Sequence, residues 1–138
     1  MDSATLAWLR TEDGAALLDL AARALAEHPR DPVAAATAVR RHEADADRAS
    51  AALTQAELRT KAVAKLYPDD AARMFFTPDA LEQATHHRVA THRASRLALA
   101  APGGSVVDLG CGIGGDLIAC ARAGLVAAGV DADPLRAE

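Results

Sequence analysis

The spacing of apolar positions along the chain changes at Pro102-Gly103-Gly104. Before that point they recur at helical intervals, and after it they come in short bounded runs. Thr11 is placed to cap a helix whose first turn carries Glu12 and Asp13, where carboxylates suit the helix dipole. Leu17, Leu18, Ala21 and Leu25 give that helix one apolar face, and His28-Pro29 ends it. Asp31-Pro32 marks a second start, an acid at the cap followed by proline in the first turn. Residues 33–50, rich in alanine and charge, predict a mostly solvated helix. Thr54-Gln55-Ala56-Glu57 has the spacing of a capping box; it either opens a new helix or lies inside a longer one. Leu58, Ala62 and Leu66 then share a face until Tyr67-Pro68-Asp69-Asp70 breaks it. Thr77, Pro78 and Asp79 specify a third start, with Phe76 and Leu81 placed for a hydrophobic staple. No breaker follows before Pro102, so a single helix is expected there.

Beyond Gly104, Ser105-Val106-Val107-Asp108-Leu109 reads as a buried strand. A glycine-rich loop follows, Gly110-Cys111-Gly112-Ile113-Gly114-Gly115, then a helical stretch over 116–123 closed by Gly124. Residues 125–130 form a second apolar strand, ending in Asp131-Ala132-Asp133-Pro134. Strand, glycine loop, helix, strand and acid make the opening βαβ unit of a nucleotide-binding α/β fold. The expected organisation is an all-α region over 1–101 and the start of a Rossmann-like domain over 102–138.

Composition sharpens this picture. The 138 residues include 36 alanines but one Trp, one Tyr and two Phe, so helix should be plentiful and the core thin. A net charge of -4 argues against a general nucleic-acid coat and leaves room only for a local basic patch. No apolar run approaches the ~18 residues of a membrane span, and the first residues lack a secretory pattern. Cys111 and Cys120 read as reduced thiols of a cytoplasmic protein.

The glycine loop carries the candidate chemistry. Its glycines fit two patterns: Gly110, Gly112 and Gly115 the dinucleotide spacing, and Gly110, Gly112 and Gly114 the methyltransferase spacing. The neighbouring carboxylates separate the two. Asp108 precedes the loop and Asp116 follows it, so a pyrophosphate on that helix would meet two negative charges. S-adenosylmethionine carries an ammonium and a sulfonium instead, which carboxylates suit. Asp131, at the end of the second strand, is placed to accept hydrogen bonds from ribose hydroxyls. Asp116 itself reads more simply as a first-turn acid, and Phe75 and Phe76 as core.

Residues 106–115 followed by Gly129-Val130-Asp131-Ala132-Asp133-Pro134 closely resemble the first two motifs of class I S-adenosylmethionine-dependent methyltransferases. The upstream segment from Arg73 to Thr85 is similar to a bacterial group with a helical N-terminal extension and a THUMP-like tail, distantly like trimethylguanosine synthases. The resemblance implies S-adenosylmethionine as cofactor. It implies cofactor-binding roles for Asp108, Gly110, Cys111, Gly112, Gly114 and Asp131, with Phe76 and Thr77 as further pocket residues. No catalytic residue is implied, because the motifs that contact the methyl acceptor lie beyond those read here.

A complete fold of that class has more strands than two, and a two-stranded parallel sheet cannot cover both faces. The chain is therefore expected to be the N-terminal part of a longer methyltransferase, inactive alone. On the third helix Arg88, His92 and Arg96 fall on one stripe, either pairing with acids of the second helix or meeting the phosphates of an RNA substrate. An alanine flank, Ala80, Ala84, Ala90, Ala94 and Ala98, suggests close packing. His86 and His87 fall on different faces of that helix, and no cysteine completes a metal set with His92. Two rivals remain: a nicotinamide-dependent oxidoreductase, and a non-catalytic helical interaction module with an incomplete cofactor half-site.

Overall fold

A computed structural model describes residues 2–133; Pro134, the last residue of the second motif, lies outside them. The element order is α1 (Ser3–Leu9), α2 (Glu12–Glu27), α3 (Pro32–Arg40), α4 (Ala46–Ala62), α5 (Pro68–Arg73), α6 (Pro78–Gln83), α7 (His87–Ala100), β1 (Ser105–Leu109), α8 (Gly115–Arg122) and β2 (Val126–Val130). The protein is thus mostly helical with a small parallel sheet, compatible with the α/β class. It divides into two compact units, one ending at Thr60 and the other starting at Lys61. The helices α5–α7 therefore belong to the same unit as the sheet.

In the first unit each turn is set by a short polar side chain. The Asp2 carboxylate accepts the Thr5 N–H at 2.8 Å and starts α1, a helix the periodicity did not reveal. Thr11 accepts the Gly14 N–H at 3.2 Å and starts α2, as expected. Asp31 caps α3 with Pro32 in the first turn. The single solvated helix expected over 33–50 is interrupted. The Asp45 carboxylate accepts N–H groups from Asp47 and Arg48 at 2.9 and 3.2 Å, which ends the linker after α3 and opens α4. Thr54 and Glu57 lie inside α4. The core is small, as the composition requires: Leu9, Val39, Ala21, Ala35, Ala49 and Ala52 are essentially excluded from solvent. At Gly14 a Cβ would lie 2.3 Å from the Trp8 carbonyl oxygen and 2.5 Å from Leu9 Cα. Only a glycine lets the end of α1 lie so close to α2.

In the second unit, the expected break at Tyr67–Asp70 is the start of α5, with Pro68 in its first turn. Thr77 accepts the Ala80 N–H at 3.2 Å, and Phe76 and Leu81 are both buried, as a staple requires. The single helix expected from Pro78 to Pro102 is instead two. Lys65 supplies the reason: its ammonium donates to the carbonyls of Leu81, at 3.0 Å, and Glu82, capping the C-terminal end of α6. Its own carbonyl accepts the His87 N–H at 2.7 Å where α7 begins. His86 Nδ1 accepts the Arg88 N–H at 3.2 Å. Because His86 sits at the cap and not within the helix, its ring stacks on His87 at 4.6 Å instead of facing away.

The strands β1 and β2 pair in parallel with Ser105 opposite Val126 and Leu109 opposite Val130. One sheet face, through Val106 and Ala127, packs on a cluster of Ala94, Cys120 and Leu125 beneath α7 and α8. Ala90 and Ala94 of the alanine flank are buried there, so small side chains bring the helices close. The other face is open: Val107, Leu109, Val126 and Val130 are exposed, so β1 is not the buried strand its composition suggests. Two strands and their crossover helix cover only one side. Arg122 at the end of α8 makes two hydrogen bonds to the buried Asp70, at 2.6 and 2.8 Å, and fixes α8 to α5.

Candidate cofactor cleft

The end of β1 and the start of α8 border a cleft of about 250 Å³ lined by α6, α7 and the glycine loop. That is a little below the range of small-molecule pockets, ~300–1,000 Å³. Its walls include Gln83, Ala84 and Thr85 from the C-terminal side of α6, Arg93 from α7, Asp108 from β1, and Gly110, Cys111 and Gly112 from the loop.

The loop backbone explains its glycines. Gly110 and Gly112 have φ of 92° and 55°, in the left-handed region that L side chains adopt only with strain. A Cβ at either would meet nothing within 4 Å, so the loop presents open space beside its backbone. The loop is tied down from β2. Gly110 and Cys111 donate their N–H groups to the Val130 carbonyl at 2.7 and 3.1 Å. The Asp131 carboxylate accepts from Gly112 N–H and from Asp133 N–H, both at 2.9 Å. Gly129 makes this approach feasible: a Cβ there would stand 2.4 Å from Leu117 Cδ1 and 2.7 Å from Cys111 Cβ. A glycine inside an apolar strand run was the signal for that close approach.

The electrostatics are predominantly negative. Asp108 and Asp116 both border the cleft. Asp116 pairs with Arg93 at 2.5 Å, and the arginine side chain stays half exposed while the aspartate is largely covered. Burial, followed by the charges of Asp116 and Asp108, raises the Cys120 thiol above its ordinary value. It stays a protonated core group.

Asp108, Gly110, Cys111 and Gly112 therefore gather at one cleft. Gly114 stands behind them as the left-handed cap of α8, and Asp131 reaches the loop through Gly112. Phe76 and Thr77 are not among the residues lining the cleft; the first is buried and the second caps α6. Arg93, Gln83 and Thr85 are lining residues that sequence reasoning missed. Arg93 lies one residue past His92, off the Arg88, His92 and Arg96 stripe. Those three are exposed and make no ion pair among the described residues. No helix of the described residues is long and apolar enough to cross a membrane.

Comparison with known proteins gives partial matches. Residues 2–62 match a family described as "Domain of unknown function (DUF8688)". Two proteins of Mycobacterium tuberculosis, from strains CDC 1551 / Oshkosh and ATCC 25618 / H37Rv, are each 45% identical to this chain over 65 residues. Both are named as uncharacterized S-adenosylmethionine-dependent methyltransferases. The match covers 47% of this chain and 17% of each relative. No solved structure gives a significant match.

Proposed function

We propose that this chain carries the cofactor-binding start of an S-adenosylmethionine-dependent methyltransferase. In this reading residues 102–138 begin its Rossmann-like domain and residues 1–101 form its helical N-terminal region. The observation that carries the reading is the ring of carboxylates about the glycine loop. Gly112 gives its N–H to Asp131, while Asp108 and Asp116 border the same cleft. A pyrophosphate relies on free loop N–H groups and suffers from nearby carboxylates, so a dinucleotide is disfavoured. The residues present do fit S-adenosylmethionine, whose ammonium and ribose hydroxyls can donate hydrogen bonds to carboxylates and whose sulfonium is attracted by their charge. The names of the partial relatives point the same way.

When bound, S-adenosylmethionine supplies an electrophilic methyl group on its sulfonium. The roles we assign to the chain are binding and positioning. Asp108 would hold the ammonium and Asp131 the ribose hydroxyls, with the backbone of Gly110, Cys111 and Gly112 forming the wall that receives the cofactor. Gly114 sets the turn into α8; Phe76 and Thr77, proposed as pocket residues, would act at one remove by seating α6, whose end lines the cleft. The finer assignment is to the bacterial group with a THUMP-like tail, in the cytoplasm, with RNA as methyl acceptor. The exposed Arg88, His92 and Arg96 stripe supports that acceptor, since it is open to a phosphate backbone.

Calorimetric titration of S-adenosylhomocysteine and NADH into the chain and into Asp131→Ala tests the reading. Binding of S-adenosylhomocysteine alone, lost or much weakened in the variant, is the expected result. Tight NADH binding, or no response to S-adenosylhomocysteine, overturns it for this chain.

A further inference from the structure

We propose that Arg93 is the partner of the cofactor's carboxylate, forming with Asp108 and Asp116 a clamp for an α-amino-acid zwitterion. The proposal rests on the S-adenosylmethionine reading and adds the residue that selects the amino-acid end of the ligand.

Among the described residues, the charged side chains lining the cleft are Arg93, Asp108 and Asp116, one cation and two anions. The methionine end of S-adenosylmethionine presents one anion, its carboxylate, and two cations, its ammonium and sulfonium. The two sets are complementary in number and sign. Among the described residues lining the cleft, Arg93 is the one basic side chain. The neighbouring Lys65 is committed to the carbonyls of α6.

Arg93 is also held in a suitable state. Its Nη1 donates to Asp116 Oδ1 at 2.5 Å, which fixes the guanidinium against the start of α8. A guanidinium has five N–H donors in a planar fork, so one bond to Asp116 does not exhaust it. Carboxylates are the partners that this fork recognises best. The arginine side chain is 54% exposed although paired, whereas Asp116 is only 20% exposed. A positioned, half-open guanidinium bordering a cleft is suited to receive a second carboxylate.

The test compares S-adenosylhomocysteine with methylthioadenosine, which lacks the amino-acid end, by calorimetry on the chain, Arg93→Ala and Arg93→Lys. Arg93→Ala is expected to weaken S-adenosylhomocysteine about tenfold or more. Methylthioadenosine should change by no more than about twofold, with Arg93→Lys intermediate. Equal weakening of both ligands overturns the proposal, since Arg93 would then merely support the cleft's shape. So does no change in either. If the unaltered chain binds methylthioadenosine as tightly as S-adenosylhomocysteine, the clamp fails while the cofactor reading stands. If it binds neither, both fail together. Should Arg93→Ala not fold, Arg93→Gln carries the same comparison.

Discussion

The Asp131 carboxylate at the end of β2 accepts the backbone N–H of Gly112 at 2.9 Å, joining the two motifs across the sheet end. The parallel register makes this possible by setting Leu109 beside Val130, so that the glycine loop and the acid emerge side by side. The loop is thus shaped by β2 as much as by its own glycines.

Gly129→Ala tests that dependence. Its Cβ would overlap Leu117 and Cys111, so the loop must shift. We expect a stability loss of about 1–3 kcal/mol and clearly weaker binding of S-adenosylhomocysteine by calorimetry. Gly124→Ala is the control. There the backbone has φ of 86° with nothing within 4 Å, so strain of about 1–2 kcal/mol should leave binding unchanged.

Gly14→Ala should destabilise the first unit by about 2–3 kcal/mol, as overpacking does. Alanine is ordinarily the better helix residue. Here its Cβ would stand 2.3 Å from a backbone oxygen, which no side-chain rotation relieves. A stabilised variant in thermal or urea unfolding followed by circular dichroism would show that α1 does not lie against α2 in this way.

His87 makes stability sensitive to acid. Its Nδ1 is enclosed with no hydrogen-bond partner among the described residues, and its ring lies 4.3 Å from that of Tyr67. Burial first, then the charges of His86 and Arg88, hold the imidazole below its ordinary value of 6.5. The unfolded chain therefore takes up this proton more readily than the folded one. Its contribution is full above pH 6.5 and is lost as pH falls from there toward the lower folded value. Thermal melts between about pH 7 and pH 5 should show a smaller acid-induced drop in His87→Phe than in the unaltered chain. An equal drop would place the sensitivity elsewhere.

The sequence by itself determined the local grammar of this protein. Thr11, Asp31 and Thr77 each cap the helix expected of them, because capping needs only the residue and the N–H three positions on. The strand, glycine loop, helix and second strand were equally legible. Their signals are short bounded apolar runs and glycines that take positive φ. The identities of Asp108, Gly110, Cys111, Gly112 and Asp131 as neighbours followed from that motif.

Tertiary structure decided what depends on residues distant in sequence. The break between α6 and α7 contains no proline or glycine; it is held by Lys65, which caps one helix and receives the first N–H of the next. The exposure of Val107 and Leu109 depends on how many layers cover the sheet, which a strand's composition cannot encode. Arg93 lines the cleft beside its ion-pair partner Asp116, twenty-three residues away. Backbone caps and turns are short-range and written into adjacent residues; the cleft's far wall and Arg93 are placed by long-range contacts, fixed only when the helices pack.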